Sequence, residues 1–219
     1  MIRKYAAELI GTFGLVFCGT GAIIVDQQTN GTIEHIGVAI TFGLIVLAMI
    51  YTFGETSGAH FNPAVTLGFA IAKRFDTKQI LPYIISQITG AFLATIVLKF
   101  LFPDNANLGS TLPAGSQMQS FILEFILTYF LMLVIINVSH GSKEVGVLAG
   151  IAIGATVGLE AMFAGPICGA SMNPARSLAP AIVSGNIQTL WIYLTAPILG
   201  AIAATLTWRI MNDKTQNKK

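Results

Sequence analysis

Charged residues are scarce in this chain of 219 residues, of which Asp, Glu, Lys and Arg make up 10%, against roughly 25% in an ordinary soluble domain. Cysteine is scarce too: Cys18 and Cys168 are the two copies, which argues against a disulfide framework or a cysteine-based metal site. The net charge of +2 argues against a nucleic-acid-binding role. Hydrophobic residues make up 54% of the chain and the mean hydropathy is +0.73, which is typical of a membrane protein.

Six apolar runs are long enough to cross a bilayer, since about 20 mostly apolar residues span the ~30 Å of hydrocarbon. These runs are Tyr5–Val25, Ile36–Phe53, Ile80–Phe102, Met118–Val138, Val145–Phe163 and Leu190–Met211. The first run is too long for the apolar part of a signal peptide, and we interpret it as a retained helix. The runs predict an all-α, multi-pass protein with a single transmembrane domain over residues 1–219.

The positions of Lys and Arg predict the orientation of these spans, because both residue types are retained on the cytoplasmic side of a membrane. The cations that would share one side are Arg3, Lys4, Lys73, Arg74, Lys78, Lys143, Arg209, Lys214, Lys218 and Lys219. The opposite segments, 26–35, 103–116 and 184–188, contain neither Lys nor Arg. We therefore expect a protein of the cell membrane, surrounded by lipid, with both termini in the cytoplasm. This scheme does not explain the position of Arg176.

An internal repeat relates the two halves of the chain, about 1–113 and 114–219. The ten residues from Gly58, GAHFNPAVTL, align with the ten from Gly169, GASMNPARSL, at a constant offset of 111 residues. Each half then holds three spans and one Asn-Pro-Ala segment, and because three is odd the second half must enter from the opposite side. Such inverted repeats place a site near the bilayer midplane, between two discontinuous helices.

The segments Asn62–Ala72 and Asn173–Val183 are apolar but reach only about halfway across, roughly 16 Å each at 1.5 Å per residue. Asn is a favoured N-cap and Pro a favoured first helical residue, so Asn62-Pro63-Ala64 and Asn173-Pro174-Ala175 predict helix starts. The cap would hold each Asn oxygen and leave its NH₂ free to donate into a lumen. Two facing helix N-termini also repel protons and cations. We therefore predict a passive channel for uncharged molecules, water among them.

Irregular backbone at membrane depth is tolerated only where it is buried in protein or lines a cavity, and we predict it at Gly54–Phe61 and Gly165–Met172. Within these segments, extended backbone would turn carbonyl groups toward the lumen as hydrogen-bond acceptors. The residues predicted to contribute carbonyls to this lining are Gly58, Ala59, His60, Phe61, Gly169, Ala170 and Ser171. Gly58 and Gly169 would relieve the tight turns that such loops need.

These residues resemble the aquaporin, or major intrinsic protein, family across essentially the whole chain. The motifs that carry the resemblance are SGAHFNPAVT, from Ser57, and SMNPARS, from Ser171. The resemblance implies six tilted helices and two half-helices in an inverted repeat, a pore in every protomer and a homotetramer. It also implies that Glu8 and Glu124 support the loops by accepting hydrogen bonds from their N–H groups. A proton or ion site is the alternative for two intramembrane acids.

The resemblance further implies a selectivity filter, whose members here are Phe42, Ala161, Ala170 and Arg176. Strict water channels of the family place His at the position of Ala161, while glycerol facilitators commonly place Asp where Ser177 stands. The run from Phe163 to Met172, FAGPICGASM, looks most like the nodulin-26-like branch. Two alanines widen the ring, so we expect glycerol, urea or undissociated metalloid acids to pass besides water. A strict water channel is the alternative, and an ion-coupled secondary transporter is a further one.

Two residues keep two interpretations each, and a third has a single expectation. His60 either lines the cytoplasmic vestibule or packs, Cys168 either faces the outer mouth or packs, and Glu160 is expected to face a neighbouring helix rather than the lumen. No catalytic triad, metal cluster or phosphate-binding loop is found in the sequence. We therefore expect neither an enzyme nor a cofactor or metal.

Overall fold

The computed structural model describes residues 1–139 and 143–213. For residues 143–146 and 213 it describes the backbone alone. Lys214, Lys218 and Lys219, which entered the prediction of orientation, lie outside the described residues.

The described residues form eight α-helices, one short 3₁₀ helix and no strand. The helices are α1 Ile2–Gln28, α2 Glu34–Ser57, α3 Pro63–Ile71, α4 Ile80–Leu101, α5 Gln117–Val138, α6 Lys143–Cys168, α7 Pro174–Ser184 and α8 Leu190–Asp213, with the 3₁₀ helix at Thr77–Gln79. Six of them are long and apolar enough to cross a membrane. The predicted all-α fold with six spans is thus confirmed, and each span differs from its predicted bounds by a few residues.

The two short helices, α3 and α7, are the predicted half-helices. They contain 9 and 11 residues, or about 14 and 16 Å of helix axis. Each begins at the Pro after its Asn, and each packs against α4 and α8. The half-helices are therefore held inside the bundle of long helices.

The irregular segments are shorter than the sequence predicted, because α2 continues to Ser57 and α6 to Cys168. Gly58 has a φ of +87° and Gly169 of +83°, the left-handed conformation that ends many helices. Their N–H groups donate to the carbonyls of Gly54 and Gly165. These two bonds complete the last turns, so the expectation of irregular backbone from Gly54 and from Gly165 was wrong.

Glycines allow the closest crossings of the long helices. A Cβ on Gly90 of α4 would overlap the Leu9 carbonyl oxygen of α1, and a Cβ on Gly200 of α8 would overlap that of Phe125 in α5. The two crossings occupy matching places in the two halves of the chain. Close backbone contact through small residues is a usual means of helix association in membranes.

Candidate functional site

The N-termini of α3 and α7 meet at the two Asn residues, which both cap their helices. Asn62 has φ −155° and its Oδ1 accepts from the Ala64 N–H at 2.8 Å. Asn173 has φ −146° and its Oδ1 accepts from the N–H groups of Ala175 at 3.0 Å and Arg176 at 3.3 Å. The side-chain oxygens therefore have the capping role that the sequence predicted.

The amide nitrogens of the same residues tie the two loops together. Nδ2 of Asn62 donates to the Met172 carbonyl at 2.7 Å, and Nδ2 of Asn173 donates to the Phe61 carbonyl at 2.8 Å. The expectation that each NH₂ is wholly free was wrong, because each Asn reaches the carbonyl just before the other Asn. An amide carries two N–H groups, so one remains for each residue, and both residues line the larger of two cavities.

The backbone before each Asn is not extended, contrary to the prediction. Three residues of each loop have positive φ, at matching places in the repeat: Gly58, Ala59 and Phe61, then Gly169, Ala170 and Met172. In extended backbone, successive peptide groups point to opposite sides. Here two successive N–H groups of each loop donate to one carboxylate, as in anion-binding nests.

The carboxylates that the loops face are Glu8 and Glu124, both fully buried. Glu8 accepts from the N–H groups of His60 at 3.0 Å and Phe61 at 2.7 Å, and also from Ser57 Oγ and Gln87 Nε2. Glu124 accepts from the N–H groups of Ser171 at 2.7 Å and Met172 at 2.8 Å. Each loop is thus anchored to the first helix of its own half.

Two cavities lie on either side of a ring of residues. The larger is about 900 Å³ and is lined by both Asn residues and the loops before them; the smaller is about 270 Å³. Phe42, Ala170 and Arg176 line both cavities, and Ala161 lines the smaller. The four residues of the expected filter therefore come together where the two cavities adjoin.

Arg176 forms one wall of this ring and is 2% exposed. Its Nη1 donates to the Gly109 carbonyl at 2.8 Å, and its guanidinium carbon lies 5.2 Å from the centre of the Phe42 ring. Its Nε has no hydrogen-bond partner among the described residues. Arg176 thus lies over an aromatic ring, and its buried Nε–H is left without a partner in the described part of the chain.

A family model described as "Major intrinsic protein" matches residues 1–208. The chain belongs to this family. It is 47% identical over 211 residues to aquaporin NIP1-1 of Oryza sativa subsp. japonica, with 96% of this chain and 74% of the relative covered. It is 44% identical over 211 residues to nodulin-26 of Glycine max, with 96% and 78% covered. The predicted likeness to the nodulin-26-like branch is thereby confirmed.

Among solved structures, the X-ray structure of the aquaglyceroporin from Plasmodium falciparum superposes with a TM-score of 0.85. The two chains are 26% identical, and the superposition covers 98% of each. The whole fold of this major intrinsic protein, rather than one part of it, is therefore shared with that structure.

The loop between α4 and α5 contributes to the ring, which the sequence had not indicated. It supplies the Gly109 carbonyl to Arg176, and Thr111 of the same loop donates to Ser177 Oγ at 2.8 Å and lines the smaller cavity. This stretch is rich in Asn, Gly and Ser, as ordinary loops are. Its composition therefore carries no signal for a role beside the pore of this major intrinsic protein.

Gly19 of α1 is a further contributor that the sequence did not reveal. A Cβ at this position would overlap the ring of Phe42. The missing side chain therefore gives this aromatic ring its place between α1 and Arg176.

His60, Cys168 and Glu160 can now be placed in this major intrinsic protein. His60 lines the larger cavity, and its Nδ1 also lies 3.1 Å from Thr66 Oγ1. Cys168 is fully buried and Ala170 donates its N–H to the Cys168 Sγ, so the cysteine packs and does not face the outer mouth. Glu160 is 3% exposed and belongs to the lining of neither described cavity.

Proposed function

We propose that this chain is a passive transmembrane channel for water and small uncharged solutes, built from two inverted repeats, about 1–113 and 114–219, in one domain. The observation that carries the proposal is the ring of Phe42, Ala161, Ala170 and Arg176 between two cavities. A molecule passing from one cavity to the other would cross this ring. Family membership and the fold of an aquaglyceroporin support the same function.

The donors along this path suit neutral molecules that offer an oxygen atom. Asn62 and Asn173 each keep one N–H beyond their tie to the opposite loop, and the guanidinium of Arg176 lines both cavities. The N-termini of α3 and α7 face the same region, where their partial positive charge opposes protons and cations. We therefore infer that Asn62-Pro63-Ala64 and Asn173-Pro174-Ala175 exclude charge and that the ring selects among neutral solutes.

The ring is wide for a water channel because two of its four members are alanines. Ala161 and Ala170 leave an apolar wall opposite the polar Arg176, which suits a solute with both CH and OH groups. We propose that glycerol, urea or undissociated metalloid acids pass together with water. The likeness to a solved aquaglyceroporin supports the wider pore; a strict water channel is the alternative.

Stopped-flow light scattering on proteoliposomes tests this proposal. Vesicles with the wild-type chain should shrink and reswell faster than empty vesicles in glycerol and in urea. Ala161→His should reduce the flux of glycerol and urea about tenfold while water still passes, because the added imidazole narrows the opening. A tenfold effect corresponds to about 1.4 kcal/mol in the barrier to passage. Leu159→His, on the exposed side of α6, is the matched control and should keep the wild-type ratio. Glycerol and urea fluxes equal to those of empty vesicles would contradict the wider pore and favour the alternative of a strict water channel.

We further propose that the chain resides in the cell membrane with both termini in the cytoplasm and assembles as a homotetramer with one pore in each protomer. The family resemblance supports the tetramer, and the relatives, which are channels, support a role other than catalysis. Cross-linking in membranes should give a ladder of products that ends at four subunits. A ladder that ends at two would contradict this assembly.

A further inference from the structure

Helix α6 contains a carbonyl group that its own backbone cannot satisfy. In an α-helix the N–H of each residue donates to the carbonyl four residues earlier, and Pro166 has no N–H. The carbonyl of Met162 therefore loses its intrahelical donor. Met162 directly follows Ala161, so this carbonyl lies at the level of the ring.

A side chain from α2 supplies the missing donor. Nε2 of His35 lies 2.8 Å from the Met162 carbonyl oxygen. Because a carbonyl only accepts, Nε2 must carry the proton. Gly165 leaves room for the imidazole, since a Cβ there would lie 2.7 Å from His35 Cε1. Pro166 thus leaves the Met162 carbonyl without an intrahelical donor, and Gly165 leaves room for the imidazole that supplies one.

The same two helices carry two members of the ring. Phe42 lies about two turns after His35 on α2, and Ala161 precedes Met162 on α6. His35 and Gly165 line the smaller cavity together with Phe42 and Ala161. The bond from His35 to Met162 therefore crosses between the helices beside the ring.

The α2–α6 pair is also held elsewhere along its length, including at Gly43, which directly follows Phe42. Near the middle, Gly43 and Gly154 allow the backbones to touch. At the opposite end, the Tyr51 hydroxyl donates to the Val147 carbonyl at 2.8 Å. Because these contacts remain, loss of the bond from His35 need not separate the helices, but it releases them on the side of the ring where the smaller cavity lies.

We propose that His35 is a positioning residue for solute selection, which holds α2 and α6 at the spacing that sets the width between Phe42 and Ala161. The inference rests on the proposed function. The width of the ring then depends on a side chain outside the ring, that of His35, in combination with Pro166.

The test compares four proteins in proteoliposomes: wild type, His35→Ala, Gly165→Ala, and the double variant His35→Ala with Pro166→Ala. The readouts are the ratio of erythritol to water permeability and the Tm in detergent. His35→Ala should raise the ratio severalfold, because helices that are no longer tied on this side leave the ring wider, and should lower the Tm through the lost hydrogen bond. Gly165→Ala displaces the imidazole from the other helix and should change the ratio in the same direction.

The double variant separates positioning from a merely structural role. The Pro166→Ala substitution provides an N–H for the Met162 carbonyl, so the Tm should return toward that of wild type, while α2 and α6 remain untied and the ratio stays raised. Recovery of both quantities would overturn the proposal, as would a wild-type ratio in His35→Ala and Gly165→Ala.

Tyr51→Phe is the matched control, because it removes the bond at the far end of the same helix pair. It should lower the Tm and leave the ratio unchanged, and a raised ratio would contradict a role specific to His35. The glycerol and urea fluxes of the wild type test the proposed function separately. The ratio of erythritol to water permeability can differ between a variant and the wild type whichever of these solutes the wild type conducts.

Discussion

At the scale of single residues, buried carboxyl groups in this protein differ sharply in how well they are paired. Glu8 accepts four hydrogen bonds and Glu124 accepts two from backbone N–H groups. Glu160 is also buried, yet its Oε2 has no partner among the described residues. A paired buried carboxylate is costly to alter, because its partners lose their acceptor as well.

Substitution by Gln distinguishes these roles, since it keeps the shape and replaces one acceptor oxygen by a donor group. In Glu8→Gln and Glu124→Gln, one loop N–H would face an NH₂ group, so we expect each change to lower the free energy of unfolding by about 1–3 kcal/mol and to slow water flux. Thermal unfolding in detergent and stopped-flow scattering measure the two effects. Glu160→Gln is the control and should change both much less. An equal loss of stability in all three variants would contradict the supporting role of Glu8 and Glu124.

At the scale of helices, the crossings of α1 with α4 and of α5 with α8 depend on one glycine each. The obstacle to a Cβ at Gly90 or Gly200 is the carbonyl group of the facing helix, which cannot turn aside as a side chain can. We expect Gly90→Ala and Gly200→Ala each to destabilise the protein by about 1–3 kcal/mol, as overpacking does. The Tm of the purified chain measures this.

Gly14→Ala provides the comparison for these two variants. Its Cβ would meet the flexible Met49 side chain, with Sδ at 3.2 Å, so its Tm should stay near that of wild type. A Gly90→Ala or Gly200→Ala protein as stable as Gly14→Ala would show that these crossings tolerate a wider separation.

The parts of this fold that local chemistry dictates could be predicted from the sequence. Asn62-Pro63 and Asn173-Pro174 specify helix starts by themselves, and the repeat then requires two half-helices inside six spans. The contacts that complete the ring could not be predicted, because they join distant segments: Gly19 with Phe42, Gly109 with Arg176, and His35 with Met162. The left-handed conformation of Ala59, Phe61, Ala170 and Met172 escaped prediction as well, since residues other than Gly seldom adopt it.

At the scale of the whole molecule, residues at the two ends of α4 can report on the two sides of the membrane. Lys78 lies just before this helix and Asp104 just after it, and both are exposed. A helix of 22 residues is about 33 Å long, enough to cross the hydrocarbon core. The residues before and after α4 should therefore lie on opposite sides of the membrane.

Cysteine labelling in intact cells tests this orientation with the matched variants Lys78→Cys and Asp104→Cys. The positive residues near Lys78 predict a cytoplasmic position, while the segment 103–116 contains no Lys or Arg and should face outward. A membrane-impermeant maleimide should label Asp104→Cys in intact cells and Lys78→Cys only after permeabilisation. The unmodified chain measures background from Cys18 and Cys168, of which Cys168 is fully buried. Labelling in the reverse order would invert the orientation, and labelling of both variants in intact cells would contradict α4 as a span.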